Sequence, residues 1–200
     1  MLDLYKYSKK NKFYSYLIKN FLGVKTESLE KSFFHSSSIE LDVQKDFFYD
    51  YKKKNPITKW CDMNNREHYQ SNHDLQKLKV FKNSLISIEH FMNNEIKNNV
   101  MGINFLGKFR VKNLWFTIQS ENEGHASHNH PKSILSGVYY FSIDENKGGE
   151  IEILNENEKI NHKPKKNDII IFHSNIYHSV KPYIGKNDRI ALVWDAIYTL

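Results

Sequence analysis

The sequence predicts a mainly β protein with helices in its N-terminal part and a jelly-roll core. Three observations support this fold class. A helical amphipathic pattern begins at Asp74, short runs rich in branched and aromatic residues follow Gly107, and clusters of Gly, Asn, Asp and Pro separate those runs. Several short strands with turn signals between them are typical of a β-sandwich or barrel.

The N-terminal third of the chain has the weakest pattern. Aromatic residues are dense there, but no hydrophobic period persists for long. We interpret residues 1–73 as an N-terminal extension of short helices and strands that packs on the core or supplies substrate-binding loops. Residues 74–200 are predicted to form a long helix followed by the jelly-roll domain.

The segment from Asp74 to Met101 has the period of one long amphipathic helix. Apolar residues recur there at steps of three and four, and Asp74 is placed to cap the N-terminus. Gly102 and Gly107 mark the end of this predicted helix. His90 lies one position from the apolar stripe, which favours a structural role over metal binding. The stripe consists of Leu75, Leu78, Phe81, Leu85, Ile88, Met92 and Ile96.

The β part of the chain begins after Gly107. Val, Ile, Tyr, Phe and Trp dominate its short runs, as expected of half-buried or buried strands. The predicted strands are 114–120, 133–143, 149–154, 168–173 and 189–198.

Composition narrows the class of protein. The single Cys61 excludes a disulfide framework and favours a reducing compartment. No window approaches the ~18 apolar residues that a membrane span needs. The N-terminus has no apolar signal-peptide core, because Lys or Asn interrupts each of its apolar runs. We therefore expect a soluble cytoplasmic protein.

The net charge of +6 and the pI near 9.1 raise the question of nucleic-acid binding. Lys is abundant together with Asn, Ile, Tyr and Phe, a bias that AT-rich codons alone produce. The basic runs at 51–54 and 162–166 are short and carry no nucleic-acid-binding signature. We therefore expect a small-molecule or peptide substrate as the partner and not nucleic acid, and a homodimer stays open.

A histidine cluster is the strongest functional signal. His128 and His130 are two residues apart, so on an extended strand both rings point to the same face. Paired imidazoles suit iron, zinc, copper or nickel and do not suit magnesium or calcium. A third ligand is then needed, and His178, which follows a buried strand, is the best candidate.

The other histidines have less defined roles. In a chain with ten histidines one close pair by chance is not surprising, so the pair alone leaves the metal site open. His125 is predicted to be a surface residue, a neighbour of the ligands or a substrate contact, and His173 a core residue or such a neighbour. No partners are predicted for His35, His68, His73 and His162.

The order of motifs resembles that of the iron(II)- and 2-oxoglutarate-dependent dioxygenases, in particular the prolyl-hydroxylase-like branch. The motifs are His-x-His, SGVYYFS, GGEIEI, DIIIF, HSVKP and the arginine that opens RIALVW. The sequence looks closest to uncharacterised bacterial and phage oxygenases with a His-x-His-Pro…Ser-Gly-x-Tyr-Tyr string. The resemblance covers roughly residues 100–198, and it implies a double-stranded β-helix, the jelly roll of this family.

The resemblance also implies roles for particular residues. His128 matches the first iron ligand, His178 matches the distal histidine, and His130 stands where the family has a carboxylate. Arg189 matches the residue that pairs with the far carboxylate of 2-oxoglutarate, and Tyr140 matches a tyrosine that hydrogen-bonds the same carboxylate. Gly148 and Gly149 match a turn that marks the fold and has no catalytic role.

His130 is a departure from the usual two-histidine, one-carboxylate site. A neutral imidazole in place of a carboxylate leaves the iron site one unit more positive. Direct ligation by His130 is the interpretation that we favour. Alternatively, Glu123 or another acid replaces it, or the site has lost its chemistry. Glu150 belongs to a strand away from the metal on this resemblance, so it is not expected to substitute.

The resemblance implies hydroxylation of a C–H bond in a peptide, an amino acid or a small metabolite. Fe(II) is the implied cofactor, 2-oxoglutarate and O2 are the co-substrates, and succinate and CO2 are the co-products. Two alternatives remain. A three-histidine cupin-type dioxygenase or isomerase would not use 2-oxoglutarate and leaves Arg189 and Tyr140 without a role. A non-catalytic binding module would retain only a vestigial metal site.

Overall fold

The computed structural model describes residues 34–56, 60–61, 67–100, 107–154 and 159–199. Within these ranges, eleven strands form two antiparallel sheets that enclose a common core. Helices cover the outer face of the larger sheet. The predicted mainly β fold with a jelly-roll core is confirmed.

The larger sheet has seven strands in the order β1-β9-β6-β11-β4-β3-β2. Its longest members, β4 and β11, pair along nearly their whole lengths. The strands are β1 (Phe34–Ser38), β2 (Trp60–Cys61), β3 (Glu67–Gln70), β4 (Lys108–Gln119), β6 (Leu135–Ser142), β9 (Asp168–His173) and β11 (Arg189–Thr199).

The smaller sheet has four strands in the order β5-β10-β7-β8. They are β5 (His125–His128), β7 (Ile151–Leu154), β8 (Lys159–His162) and β10 (Tyr177–Val180). Each strand of this sheet has only four residues, so its side chains can close over the larger sheet without a long exposed edge.

Side chains that alternate along the large sheet separate two apolar layers. On β6, Leu135 and Tyr139 pack against the helices, whereas Val138 and Tyr140 point toward the small sheet. The outer layer contains most of the aromatic residues, including Phe48. The inner layer is smaller because a cavity shares the space between the sheets.

The helical elements are α1 (Lys45–Lys54), α2 (Lys82–Phe91) and a π-helical segment (Met92–Val100). Two 3-10 turns, Leu75–Lys77 and Lys79–Phe81, precede α2. Among the residues that the structure describes, no helix combines the length and the apolar composition that a membrane crossing requires.

The long helix predicted from Asp74 is thus divided into several pieces. Leu78 has an extended backbone between the two 3-10 turns and its side chain is exposed, although five of the other six residues of the stripe are buried. Asp74 makes no side-chain cap. The amide of Gln76 exchanges hydrogen bonds with the backbone of β4, to Lys112 O (2.7 Å) and from Leu114 N (3.1 Å), which ties the first turn to the sheet.

A second amide has the same effect at the other end of the helical segment. Asn93 Nδ2 donates to Phe109 O (3.0 Å), and Phe109 N donates to Asn93 Oδ1 (2.8 Å). Nδ2 also donates to the carbonyl of Glu89 one turn earlier. These bonds fix the π-helical segment on β4, and hydrophobic periodicity gives no sign of them.

The predicted strands correspond to β4, β6, β7, β9 and β11, with β4 starting six residues earlier than expected. The expected extension 1–73 lies partly outside the described residues. Its described part supplies β1, which pairs with β9, and β3, which pairs with β4. The boundary at residue 73 stays a prediction.

Candidate active site

A cavity lies between the inner face of the large sheet and the small sheet. The neighbouring strands β4, β6 and β11 each present alternate side chains to it. Their register places Arg189 beside Gln119, and Ala191 between Thr117 and Tyr140. One end of the cavity is therefore lined by a guanidinium, an amide and a phenol.

Three histidines meet at the same cavity. His128 at the end of β5 is directly opposite His178 on β10, so their ring centroids are 4.3 Å apart. His130 lies 5.1 Å from His128 and 5.2 Å from His178 by the same measure. One ring nitrogen from each residue lies within 4.8 Å of the others, the arrangement of a metal-binding group.

The expected reason for this convergence is only partly right. β5 ends at His128, and His130 follows in the loop, where its backbone N–H donates to Ser174 O (2.7 Å). Strand alternation therefore does not align His128 with His130. The hydrogen bond from His130 N–H to Ser174 O instead holds the loop so that the His130 ring lies beside the rings of His128 on β5 and His178 on β10.

Hydrogen bonds define the orientation of two of the rings. His128 Nδ1 lies 2.9 Å from Ala126 O, and His178 Nδ1 lies 3.1 Å from Ile176 O. A carbonyl oxygen only accepts, so each Nδ1 carries the proton and donates. In a neutral ring the lone pair is then on Nε2, and this is the nitrogen that binds a metal.

The third ring is held by a carboxylate. His130 Nδ1 lies 2.6 Å from Asp195 Oδ1, and Ser136 Oγ donates to the same oxygen at 2.8 Å. Asp195 therefore fixes the Nδ1–H form of His130, as the two carbonyls do for the other rings. All three histidines present Nε2 as the remaining ring nitrogen.

Burial favours the neutral, metal-binding form of His178 and His128. Burial, and after it the neighbouring His128 and His130, lowers the pKa of His178 to about 3. Burial also lowers the pKa of His128, although the hydrogen bond to Ala126 opposes the shift. Neutral imidazoles at pH 7 do not have to lose a proton before they bind a cation.

A buried cation lines the same cavity as the histidines. Arg189 is only 2% exposed, and its guanidinium carbon is 4.9 Å from the centroid of the Tyr140 ring. Arg189 makes no ion pair within the described part of the chain, and its Nε has no hydrogen-bond partner there. An unpaired buried charge is costly, so this one indicates an anionic ligand.

Gln119 holds the guanidinium in place. Its Oε1 accepts from Arg189 Nη1, and its Nε2 donates to Gly124 O at 2.9 Å. Tyr140 is fully buried, and burial raises the pKa of its phenol to about 12, although Arg189 opposes the shift. The phenol therefore stays neutral and can donate to an anion.

The Gly148–Gly149 turn has a role in the cavity beyond that of a fold marker. Both glycines have positive φ, 73° and 71°. A Cβ on Gly149 would lie 3.1 Å from Arg189 Cδ, tighter than ordinary packing. The absence of side chains here leaves space for Arg189 to extend into the cavity.

The remaining histidines now have definite surroundings. His125 lines the cavity, with its ring 4.2 Å from His128 and 4.8 Å from the buried His68. Burial, with His128 as the next contributor, lowers the pKa of His125 to about 2. His73 stacks on Trp115, which lines the cavity, and His90 is exposed on α2.

The acids considered as replacements for His130 do not join the histidine group. Glu123 accepts from the backbone N–H of Ser120 at 2.7 Å in the turn before β5. Glu150 precedes β7 and is likewise outside the group of possible metal ligands among the described residues.

Sequence reasoning missed Asp195, Ser136 and Gln119. The alternation of side chains along a strand could have identified Asp195 and Gln119. Asp195 is six residues after Arg189 and therefore faces the same way, and Gln119 shares its face with Trp115. An acid within an otherwise apolar buried strand is itself a signal, because buried carboxylates need partners.

The donor set fits the cofactors that the sequence implies. Three imidazoles match the preference of a borderline metal such as Fe(II), and Arg189, which has no ion-pair partner among the described residues, lines the same cavity. A dicarboxylic acid with one end at the metal and the other at the guanidinium suits this pair of groups. Fold and histidine group together are typical of one class of protein, the jelly-roll metalloenzymes.

Comparison with known proteins points to one family within that class. Residues 116–194 match the family model of the 2OG-Fe(II) oxygenase superfamily, a range that runs from β4 to β11. This part of the jelly roll is therefore similar to a 2OG-Fe(II) oxygenase domain. The expected resemblance and enzyme class are confirmed, and Fe(II), 2-oxoglutarate and O2 are the cofactor and co-substrates of the family. None of the curated proteins matches the sequence.

Solved structures of low identity share the fold. A viral collagen prolyl hydroxylase from Paramecium bursaria Chlorella virus-1, in complex with 2-oxoglutarate, has a TM-score of 0.58 at 16% identity, covering 84% of this chain and 98% of that one. A Trichoplax adhaerens prolyl hydroxylase with a bound hypoxia-inducible-factor peptide has 0.58 at 14%, covering 94% of each chain. The 2-oxoglutarate-dependent carbocyclase SnoK of nogalamycin biosynthesis has 0.61 at 8%, covering 86% and 83%.

Proposed function

We propose that this oxygenase binds Fe(II) through His128, His130 and His178 and binds 2-oxoglutarate through Arg189 and Tyr140. Its reaction is the hydroxylation of a C–H bond, with succinate and CO2 as co-products. One observation carries the assignment: an arginine without an ion-pair partner in the described chain lines the same cavity as three histidines that share a metal-binding arrangement.

The arginine separates this function from the cupin-type alternative. A three-histidine enzyme that does not use 2-oxoglutarate has no need of a buried guanidinium. The desolvation of Arg189, which lowers its pKa, would then cost free energy that no ligand offsets. A carboxylate ligand offsets that cost with two parallel charge-assisted hydrogen bonds.

Each residue has a separate task in the reaction. The histidines hold the iron, which supplies the oxidative chemistry together with 2-oxoglutarate and O2. Arg189 neutralises one carboxylate, Gln119 keeps the guanidinium oriented, and Tyr140 offers a neutral donor beside it. The walls of the cavity exclude bulk water from the bound acid, because apolar residues of the inner layer surround it.

Proteins of similar fold suggest which classes of substrate to test. Similar folds belong to prolyl hydroxylases, one of them with a peptide bound, and to a carbocyclase of a biosynthetic pathway. A peptide or an amino-acid side chain is therefore the first class to test, and a small metabolite the second. Succinate release and a mass increase of one oxygen atom would identify a substrate.

The cofactor assignment can be tested by anaerobic spectroscopy. Addition of 2-oxoglutarate to the Fe(II)-loaded protein is expected to give a broad visible charge-transfer band that His128→Ala abolishes. His90→Ala is the matched control, since His90 is exposed on α2 and outside the histidine group. Iron binding without the band would favour the cupin-type enzyme, and absence of iron binding would favour a non-catalytic module.

We further propose a cytoplasmic location, supported by the single cysteine and by the need to keep the iron reduced. Nucleic acid is not a proposed partner, since the site lies inside the jelly roll. A homodimer would be detected by sedimentation equilibrium.

A further inference from the structure

Asp195 is a buried acid that the family pattern does not explain. It lies on β11 opposite Ser136 of β6 and Asn113 of β4, and only 7% of it is exposed. The pairing of β11 with β4 shifts register between Asp195 and Ala196. Such bulges often re-aim a side chain next to a functional site.

The contacts of Asp195 lead to one metal ligand. Its Oδ1 lies 2.6 Å from His130 Nδ1 and accepts from Ser136 Oγ at 2.8 Å. Ser136 Oγ is also 3.1 Å from the same ring nitrogen, which closes a triangle of three groups. His130 belongs to the metal-binding group, whereas Asp195, which is bonded to the other side of the ring, does not.

The charge of Asp195 compensates for the unusual ligand. The common site of two histidines and one carboxylate holds Fe(II) with one negative charge, whereas three imidazoles provide none. Through the 2.6 Å bond, the carboxylate of Asp195 polarises the His130 ring and makes its other nitrogen a stronger donor. The negative charge is retained but lies one residue farther from the metal.

On the basis of the proposed function, we propose that Asp195 is a positioning residue that orients His130 and supplies the charge of the missing carboxylate ligand. Asp195 and His130 thus act as one composite ligand. Ser136 donates a hydrogen bond to the same carboxylate oxygen and so helps to hold it beside His130. His130 then ligates iron directly, and neither Glu123 nor loss of the site is needed to explain the sequence.

The decisive experiment measures Fe(II) affinity by anaerobic competition with a chromophoric chelator. Asp195→Asn keeps an oxygen acceptor but removes the charge, and it is expected to weaken Fe(II) binding about 10–100-fold. The Fe(III)/Fe(II) reduction potential should rise in the same variant, because a negative charge favours the ferric state. Asp168→Asn is the matched control, as its carboxylate lies 3.4 Å from His162, outside the metal group.

Further variants distinguish positioning from direct ligation and from misfolding. Ser136→Ala leaves both Asp195 and His130 in place and should lower the affinity by a smaller factor. His130→Ala should abolish tight iron binding. Retention of wild-type affinity in His130→Ala would mean that Asp195 itself ligates the metal, which overturns the proposal. A 15N spectrum of the Zn(II) form reports whether His130 keeps its Nδ1 proton.

The outcomes also separate this inference from the proposed function. If the wild-type protein does not bind Fe(II), the proposed function fails. If the wild type binds Fe(II) and Asp195→Asn matches it in affinity and in potential, the role of Asp195 is refuted and the function stands. A loss in Asp195→Asn that the control does not share supports the composite ligand.

Discussion

Replacement of Arg189 by leucine should weaken 2-oxoglutarate binding and leave the metal site intact. The guanidinium is buried and already held by Gln119, so little ordering is needed when an acid binds. Two charge-assisted hydrogen bonds contribute roughly 1.5–3 kcal/mol each. Their loss amounts to at least about 3 kcal/mol, and at about 1.4 kcal/mol per tenfold the Kd should rise by roughly 100-fold or more.

The assay is anaerobic isothermal titration of the Fe(II)-loaded protein with 2-oxoglutarate. Arg110→Leu is the control, because Arg110 is exposed on β4 and pairs with Glu89 away from the cavity. Arg189→Lys should have an intermediate affinity, since an ammonium keeps the charge without the planar pair of donors. A Kd for Arg189→Leu within about threefold of the wild-type value, where roughly 100-fold is expected, would refute the assignment of the anion subsite.

Three further predictions concern acid stability, packing and the anion subsite. The pKa of His178 is depressed to about 3, so the metal-free native state binds fewer protons than the unfolded chain between about pH 3 and 6.5. The free energy of unfolding should therefore fall by about 1.6 kcal/mol for this ring from pH 6.5 to 5. Urea denaturation at the two pH values would show the fall, and a flat profile would contradict it. Gly137→Ala would place a Cβ against the indole ring of Trp194, and the overpacking should cost about 1–3 kcal/mol, seen as a lower Tm. Gln119→Glu should pair the charge of Arg189 internally and weaken 2-oxoglutarate binding without a change in metal affinity; tighter binding would count against the role of the guanidinium.

The strands and the main participants of the site were predictable because both depend on local patterns. Buried strands are readable from runs of branched and aromatic residues, as in DIIIFH, which coincides with β9. His128, His178 and Arg189 could be singled out by residue type and motif order, and they do line one cavity. Their assignment to iron and 2-oxoglutarate stays a prediction until the variants are measured.

The features that were not predictable depend on long-range contacts. Gln76 and Asn93 break the expected helix by bonding to β4, a strand more than ten residues away along the chain. The position of His130 is set by the loop bond to Ser174, and the partner of its ring is 65 residues away. Hydrophobic periodicity indicates only which face of one helix or strand is buried. It therefore gives no information about hydrogen bonds to distant parts of the chain.

The residue spacing along strand β11 determines whether Arg189 and Asp195 both point into the interior. Arg189 and Asp195 are six residues apart on one strand, so both side chains enter the interior only while that count stays even. An insertion or deletion of one residue between them would turn one of the two outward. Point substitutions at Ala191 or Val193 would only change the shape of the cavity wall. A change in the number of residues between Arg189 and Asp195 would instead remove one of these two side chains from the interior. Selection should therefore tolerate new side chains in this stretch more readily than a new spacing.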